Sequence, residues 1–442
     1  MRSTYTRAIV ALVVLAVVGV WFLPGSSGDA DATGAERYSL DAVAVKVAAT
    51  FLAAMSCYVL LGGSKWKLRL ARAVSSVVAL LLALLLLELP VVLGWVDYRM
   101  LLGPKVVGGE GPQNRQLDRE LIFHRPPLDH FTARQPGDWT ISLGIATPRR
   151  YEVEYRYDAN GFRNSPDLRQ ADVVLLGDSF VEGYNCHQKD TCAAELARIL
   201  DVKVANLGQA DYGPPQELVA LKKFGFGYRP RVVVWFFFEG NDLCDLEGYG
   251  AAQHNWEEVL QETDCFTQRS FLRNALSLLA VNVDMLRRED SPLAKRRSAR
   301  LLSKDGLVQE RMYFELSPGE ITAHELSLLK KTQDLLRQAK EACDRRGVKM
   351  LVVNVPIKFR VYGRLCEVKA DSDLAGWQLN DLPDRLRKAC QAEGLGFLDL
   401  TPALEEAASE GALVYLLDDG HWSARGHAVV AREIADWIRR PK

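Results

Sequence analysis

The 442-residue chain carries 55 Lys and Arg against 56 Asp and Glu, and its net charge of −1 gives no general attraction for nucleic acid or for an anionic surface. Its hydrophobic content of 48% is ordinary, but the long apolar runs are concentrated in the first hundred residues. Because the length exceeds one typical domain, we expect more than one structural unit. The apolar runs predict a membrane region in residues 1–100, followed by globular parts. The charge balance predicts no nucleic-acid partner.

Three apolar segments in the N-terminal region are candidates for membrane-spanning helices. They cover residues 9–23, 42–61 and 73–96. A helix needs about 20 mostly apolar residues to cross a bilayer, and the second and third segments reach that length. The first segment is shorter and follows Arg2 and Arg7, so it also fits the apolar core of a cleaved signal peptide.

Basic residues predict which side of the membrane the rest of the chain occupies, because cytoplasmic loops carry an excess of Lys and Arg. The basic residues between the second and third segments are Lys65, Lys67, Arg69 and Arg72. The loop between the first and second segments is acidic, so everything after residue 96 is expected outside, whether or not the first segment is cleaved. The sequence thus predicts an integral protein of the cell (inner) membrane, in contact with the lipid bilayer, with an extracytoplasmic, periplasmic domain.

Glu88 lies inside the third apolar segment. A carboxylate within a membrane span is costly and is a functional candidate for that reason. Because Glu88 is near Pro90 and the outer end of the segment, an interfacial role fits equally well.

Seven cysteines follow the membrane region, and an extracytoplasmic location allows disulfides among them. The pairs closest in sequence are Cys186 with Cys192 and Cys244 with Cys265, and the odd number leaves at least one thiol free. No Cys or His cluster has zinc spacing, and no Walker-type phosphate loop or dinucleotide-binding glycine motif occurs. The sequence therefore predicts no metal site and no cofactor.

Residues 101–165 read as a connecting segment, in which an alternating pattern before Asn160-Gly161 predicts short strands or a hairpin. From residue 166 onward, short apolar runs alternate with amphipathic helical patterns. The apolar runs are residues 173–177, 202–208, 231–238, 348–356 and 396–400. This alternation predicts an α/β domain over 166–442 with a parallel sheet covered on both faces, interrupted by a helical insertion at about 245–318.

The motif LLGDSFVEGYN places Ser179 directly after the first predicted strand of this domain. Active residues of parallel sheets lie at the carboxyl ends of the strands, and the free N–H groups of a following helix stabilise negative charge. The pattern thus suits a nucleophilic serine, although an Asp-Ser pair here would equally cap the helix.

Two later motifs supply partners for a nucleophile. Asn241 follows the third apolar strand, where its amide can donate to an oxyanion or simply form a turn. His421 precedes the last helical pattern, with Asp418 three residues earlier. A nucleophilic serine needs a base and a group that orients the base, which this pair would provide; the alternative is a turn with a surface histidine.

In this order the motifs resemble the sequence blocks of the SGNH/GDSL hydrolase superfamily, over about residues 172–437. The first and last blocks are matched by Gly177-Asp178-Ser179-Phe180 and by Asp418-Asp419-Gly420-His421. The second block resembles Asn206 to Gly213, with Asp211 in place of the oxyanion-hole glycine. The third block is Glu239-Gly240-Asn241-Asp242, with Glu239 in place of a glycine.

The resemblance implies a three-layer α/β/α sandwich of the flavodoxin-like kind. It also implies that Ser179 is the nucleophile, His421 the base and Asp418 the carboxylate that holds the base. The oxyanion hole would combine backbone N–H groups of Ser179 and of Asp211 or Gly208 with the amide of Asn241. Lys358 and Tyr362, after a core strand, either reach the pocket or are ordinary loop residues.

These features support three functions. The first is an esterase that removes acyl groups, acetyl foremost, from an extracytoplasmic glycan or lipid. The second is an O-acyltransferase that uses the same triad on a polysaccharide and depends on a separate membrane acyltransferase, because three spans are too few to carry an acyl donor across a bilayer. The third is a non-catalytic glycan-binding module.

Overall fold

The computed structural model describes residues 40–61, 63–98, 101, 115–264, 266–284, 289–302 and 309–440. The chain divides into two compact units. The first comprises Met1–Pro104 together with Gln261–Leu286, and the second comprises Lys105–Leu260 with Arg287–Lys442. Part of the predicted insertion, Gln261–Leu286, thus belongs to the same unit as the N-terminal region.

The helices and strands alternate along most of the second unit. The helices are α1 (Leu40–Leu60), α2 (Trp66–Val92), α3 (Trp139–Leu143), α4 (Ser179–Glu182), α5 (Cys192–Leu200), α6 (Pro214–Lys223), α7 (Asp242–His254), α8 (Trp256–Asp264), α9 (Phe266–Arg269), α10 (Phe271–Asp284), α11 (Pro292–Arg296), α12 (Ala323–Asp344), α13 (Lys358–Tyr362), α14 (Leu382–Ala392), α15 (Thr401–Ser409) and α16 (Ala424–Arg439). The strands are β1 (Gln116–Asp118), β2 (Ile122–His124), β3 (His130–Pro136), β4 (Arg150–Arg156), β5 (Val173–Gly177), β6 (Val204–Gly208), β7 (Val232–Phe238), β8 (Ser298–Leu302), β9 (Gln309–Tyr313), β10 (Lys349–Val355), β11 (Cys366–Glu367) and β12 (Gly396–Asp399).

In the first unit, α2 is the one described helix that is long and apolar enough to cross a membrane. It matches the third predicted span. The second predicted span forms α1, whose described apolar stretch, Lys46–Leu60, is shorter than a full crossing. The first predicted span, residues 9–23, lies outside the described residues.

The centre of the second unit is a five-stranded sheet in the order β12-β10-β7-β5-β6. All four neighbouring pairs are parallel; in register, Leu175 lies opposite both Asn206 and Val234. Because the strands are parallel, their carboxyl ends lie along one edge of the sheet. Ser179 and Asn241 follow two adjacent strands, β5 and β7, at that edge.

Helices cover both faces of this sheet. Alternate strand residues point to opposite sides, and on both sides they are apolar and must be buried. Leu175 and Phe236 pack with α5, α15 and α16 on one face. Leu176 and Trp235 pack with α6, α12 and α14 on the other. All four strand side chains are almost completely buried, and truncation of such a leucine to alanine costs about 2–5 kcal/mol. The second unit is therefore the predicted three-layer α/β/α sandwich.

Small antiparallel sheets accompany the sandwich. The connecting segment forms the pairs β1-β2 and β3-β4, the latter joining His130 to Arg156. The insertion contains strands as well as helices, since β8 pairs with β9 and β11.

Candidate active site

The turn that presents Ser179 is built from its immediate neighbours. Strand β5 ends at Gly177, whose φ of 159° and close approach to Val181 exclude a larger residue, because an added Cβ would lie 2.4 Å from Val181 Cγ2. Asp178 Oδ1 accepts the N–H of Phe180 at 2.9 Å and so caps α4. Asp178 is thus the capping residue, and the hydroxyl of Ser179 is left for another partner.

That partner is His421, whose Nε2 lies 2.7 Å from Ser179 Oγ. The imidazole packs beside the rings of Phe180 and Tyr184, with centroid separations of 5.0 and 4.7 Å. The sheet edge and the loop before α16 therefore bring together the two residues that the sequence placed 242 positions apart. Ser179 is partly buried, and only 12% of the His421 side chain is exposed.

The carboxylate on the histidine is Asp419, so the prediction that Asp418 pairs with His421 is wrong. His421 Nδ1 lies 2.7 Å from Asp419 Oδ1, which also accepts the backbone N–H of His421 at 2.8 Å. Asp418 instead accepts the hydroxyl of Tyr151 at 2.7 Å and the backbone N–H of Arg149 at 2.6 Å. The neighbouring carboxylates have different partners, and the turn closed by the backbone N–H of His421 selects Asp419.

A second carboxylate, that of Asp138, also reaches the imidazole. Asp138 follows β3, and its Oδ2 lies 3.3 Å from His421 Nδ1 while its Oδ1 accepts the N–H of Gly420 at 2.9 Å. Asn185 donates to Asp419 Oδ2 at 2.6 Å and fixes the first carboxylate. Nothing in the local sequence around residue 138 signalled this role, because its partners lie more than 280 positions away.

The two carboxylates dominate the electrostatics of the base. Burial lowers the pKa of His421, but Asp419 and Asp138 outweigh burial and hold this pKa well above 6.5. Burial acts against ionisation of Asp419 too, yet His421 lowers its pKa to about 2. Burial and the charge of Asp419 raise the pKa of Asp138 to about 6. Asp419 is therefore the firmly ionised partner of the imidazole.

Among the predicted oxyanion-hole residues, Gly208 does not fit the role. Its N–H donates to Asn206 Oδ1 at 2.8 Å and is thus already engaged. Gly208 instead allows close packing, because an added Cβ would lie 2.4 Å from the backbone nitrogen of Glu182. The predicted oxyanion-hole role of Gly208 is therefore corrected to a role in packing.

Asp211 takes the conformation that a glycine would favour, with φ of 64°. Its carboxylate is mostly exposed and pairs with Arg115 at 2.7 Å, so the negative charge has a cationic partner. Asn241 lies just before α7 and its side chain does not cap the helix; its buried Oδ1 has no hydrogen-bond partner among the described residues. Donation by the Asp211 N–H and the Asn241 amide to an oxyanion stays a prediction.

Glu239, which stands where the resembled motif has glycine, forms a buried ion pair. Its carboxylate lies 2.8 Å from Arg360 Nη2 and accepts the N–H of Ile357 at 2.6 Å. Burial raises the pKa of Glu239, while Arg360 opposes that effect. The pair joins the end of β7 to the segment after β10, next to Asn241.

Lys358 holds the loop of residues 417–421, which carries His421, and Tyr362 holds the segment just before this loop. Lys358 is buried over the rings of Trp139 and Phe314, and its Nζ donates to the carbonyls of Leu417 and Asp419 at 2.8 and 3.0 Å. Burial lowers the pKa of Lys358 to about 7, against the pull of the nearby carboxylates. Tyr362 donates to a carbonyl and accepts the N–H of Val414 at 2.8 Å.

The cysteines that the structure describes are free thiols. Cys186 and Cys192 are both buried and unbonded to each other, and Cys244 is exposed. Burial raises the pKa of Cys186 to about 12, which leaves it as an unreactive thiol. Cys265 lies outside the described residues, so its pairing with Cys244 stays a prediction.

Within the described part of the chain, Asp138, Asp419 and His421 are the group whose ligand atoms lie close enough together for a metal ion. A metal on His421 Nδ1 would displace the proton that Asp419 accepts. The same atoms therefore serve either a metal or an oriented base, and the hydrogen bond from Ser179 to Nε2 favours the base.

Comparison with known proteins finds similarity in the C-terminal part of the chain. Residues 319–442 match the family model described as "SGNH hydrolase-like domain, acetyltransferase AlgX". The matched range includes Asp419 and His421 but begins after Ser179. The probable alginate O-acetylase AlgJ of Pseudomonas aeruginosa is 29% identical over 139 residues, which are 31% of this chain and 33% of that protein. The chain thus matches about a third of the length of this curated relative.

Solved structures of GDSL-type enzymes overlap with the chain at low sequence identity. A lipase/acylhydrolase from Enterococcus faecalis is 14% identical and covers 61% of this chain and 97% of its own, with a TM-score of 0.32. A catalytic variant of the acetylxylan esterase Axe2 from Geobacillus stearothermophilus is 10% identical and covers 61% and 94%, also at 0.32. Overlaps with TM-scores this low do not bear on the function of the chain. The similarity described next comes from the sequence match alone. By sequence, the C-terminal part of the chain is similar to an SGNH hydrolase-like domain, that of the acetyltransferase AlgX family model, and to part of the probable alginate O-acetylase AlgJ.

Proposed function

We propose that the chain transfers acetyl groups to a polysaccharide outside the cell membrane through an acetyl-Ser179 intermediate. The observation that carries this proposal is the continuous hydrogen-bonded row from Ser179 Oγ to His421 Nε2 and from His421 Nδ1 to Asp419, with both distances 2.7 Å. The names of both relatives refer to acetylation, and alginate, the polymer named for one of them, is the first acceptor to test.

The chemistry proceeds by two acyl transfers. Ser179 Oγ attacks the carbonyl carbon of the acetyl donor while His421 Nε2 takes its proton, and the proton then passes to the departing alcohol. In the second step a sugar hydroxyl attacks the acetyl-serine, and His421 takes the proton of that hydroxyl. The proton returns to Ser179 as the new ester leaves. Asp419 stabilises the imidazolium formed in each step.

The oxyanion of each tetrahedral intermediate would be bound by the N–H groups of Ser179 and Asp211 and by the amide of Asn241. Preorganised donors of this kind are each worth about 10²–10³ in rate. The ion pair of Asp211 with Arg115 supports activity, because it offsets the carboxylate that replaces a glycine. A purely glycan-binding role has less support for this reason.

Hydrolysis is the second candidate function. Ser179 is partly exposed, as is 12% of the His421 side chain, and an acyl-serine that water reaches is hydrolysed. Transfer requires that an acceptor or a partner covers the site. The two functions share every residue and differ in the nucleophile of the second step.

We propose further that α2 anchors the chain in the cell (inner) membrane and that the catalytic unit lies on the periplasmic side. The basic residues just before α2 and in its first two turns support this orientation. An acetyl donor made in the cytoplasm would need a carrier across the bilayer. A separate membrane acyltransferase is therefore the partner that this function implies.

The test uses the full chain in phospholipid nanodiscs with p-nitrophenyl acetate as donor. Wild type, Ser179→Ala and His421→Ala are compared, with Ser165→Ala, at an exposed serine before β5, as the matched control. We expect nitrophenol release and an acetyl-Ser179 peptide in mass spectra of wild type and control, and neither in the two site variants. Oligosaccharides of alginate or of other polymers are then added as acceptors. Formation of an acetylated oligosaccharide supports transfer, and formation of acetate alone supports hydrolysis. Equal activity of all four folded proteins would refute the serine mechanism.

A further inference from the structure

Glu88, in the apolar helix α2, binds the start of a helix from the distant insertion. Its carboxylate accepts the Ser270 hydroxyl at 2.8 Å and the N–H groups of Phe271 and Leu272 at 3.0 and 2.8 Å. Phe271 also packs edge-on against Tyr98, with 5.1 Å between ring centroids. These three hydrogen bonds satisfy a hydroxyl and two of the otherwise unpaired amides at the beginning of α10.

Helix α10 belongs to the same compact unit as the two N-terminal helices and packs against both α1 and α2. Its sequence, FLRNALSLLAVNVD, has no charged residue between Arg273 and Asp284. Leu272 and Leu279 lie two helical turns apart and point outward, with 44% and 42% of their surfaces exposed. The helix thus presents an unpaired apolar face while its other side packs on α1 and α2.

We infer that α10 is inserted in the outer half of the bilayer beside α2, with the Leu272–Leu279 face in contact with lipid. This inference rests on the membrane anchoring proposed above and does not depend on the catalytic activity. The occupant of the apolar face is lipid, because α10 starts at Glu88, inside the segment of α2 whose own leucines, such as Leu85 and Leu86, are largely exposed.

The length and the ends of α10 suit such a position. Its 14 residues extend about 21 Å, too short to cross a bilayer, so the chain enters and leaves on the same side. Backbone N–H groups within a membrane must be satisfied internally, and Glu88 does this for the helix start. The positive end of the helix dipole in turn stabilises the carboxylate of Glu88, whose place inside an apolar span is otherwise costly.

The test compares three exposed leucines in the full chain reconstituted in phosphatidylcholine vesicles. Leu82 in α2, Leu279 in α10 and Leu326 in α12 of the catalytic unit are 56%, 42% and 38% exposed. Each is replaced in turn by the photoreactive residue p-benzoylphenylalanine, the sample is irradiated, and phospholipid adducts are measured by mass spectrometry. We expect adducts at positions 82 and 279 and none at 326.

Adducts at position 82 alone would overturn the inference while leaving the anchor in place. Adducts at neither position would overturn both, with the nitrophenol assay still free to report on catalysis. Cross-links from position 279 to a second polypeptide rather than to lipid would also overturn it. Glu88→Ala removes the three hydrogen bonds that hold the start of α10. In this variant the yield of lipid adducts at position 279 should fall by about two-fold or more, and the yield at position 82 should not change.

Discussion

The serine and the histidine of the site are held in place in different ways. The turn that presents Ser179 takes its shape from near neighbours, where Gly177 fits against Val181 and Asp178 caps the helix, and distant groups brace only the backbone that follows it. The base loop, residues 417–421, is held by groups from β4, the β3-α3 loop, the turn after α4 and α13. The serine turn is therefore shaped mainly by neighbouring residues, whereas the histidine is oriented by distant ones, so distant substitutions should disturb the proposed base first.

The largest expected effect comes from the nucleophile itself. Ser179→Ala removes the attacking oxygen and leaves the turn intact, since Asp178 still caps α4. Acetyl transfer should fall by about 10³–10⁶, measured as the single-turnover rate with p-nitrophenyl acetate. An unchanged thermal midpoint would confirm that the Ser179 hydroxyl does not stabilise the turn. A large loss of stability would break the comparison, because it would mean that Ser179 also holds the fold.

The two neighbouring aspartates of the base loop should differ strongly. Asp419→Asn removes the charge on His421 Nδ1 and should lower kcat by about 10²–10⁴, as loss of the orienting carboxylate does in serine enzymes. Asp418→Asn is the matched control one residue away. Asp418 contacts Tyr151 and Arg149, so its loss should cost less than about ten-fold in kcat and act mainly on stability. The reverse order of effects would restore the triad expected from the sequence.

Lys358 tests how far the base loop depends on support from α13. Lys358→Met keeps the buried volume but leaves the carbonyls of Leu417 and Asp419 without a donor. We expect a loss of about 1–3 kcal/mol in unfolding free energy and about ten-fold in kcat. Lys349→Met, at the exposed start of β10, is the control and should change neither.

The pH dependence of stability sharpens the Lys358 test. Burial lowers the pKa of Lys358 to about 7, whereas the unfolded chain keeps the usual value near 10.5. The unfolded state therefore binds more protons between these pH values, and this group makes wild type more stable as pH rises from 7 to 10. The difference in stability between wild type and Lys358→Met should grow over that window. A constant difference in urea titrations would show that Lys358 is not shifted.

Asp138 should act on the pH profile more than on the maximal rate. The base must be neutral, so the rate rises with pH through the pKa of His421, which Asp419 and Asp138 hold high. Asp138→Asn removes one negative charge near Nδ1, and the rising limb should move about one pH unit lower, with the plateau only modestly reduced. NMR titration of the His421 ring gives the same shift independently of substrate. No shift in either measurement would reduce Asp138 to a packing residue.

The same division explains what the sequence could predict. Strand-helix alternation predicted the sheet and its covered faces, and the GDSF turn located Ser179, because both depend on neighbouring residues. The turn at His421 selects Asp419 locally, but the residues that engage Asp418, Tyr151 and Arg149, lie more than 260 positions earlier and could not be read from spacing alone. Asp138 was missed for the same reason.

Asp211 offers the smallest and most local test. Its φ of 64° is strained for a residue with a Cβ, while its pairing with Arg115 is partly exposed and contributes little. Asp211→Gly removes both, so stability should change by less than about 1 kcal/mol and kcat by less than about three-fold. Asp211→Ala, which keeps the strain and loses the ion pair, is the control and should be the less stable of the two.

A ten-fold rise in kcat for Asp211→Gly but not for Asp211→Ala would show that backbone strain, rather than the carboxylate, limits the oxyanion hole. An equal rise in both variants would assign the limit to the carboxylate, and Arg115 would then be an incomplete counter-charge.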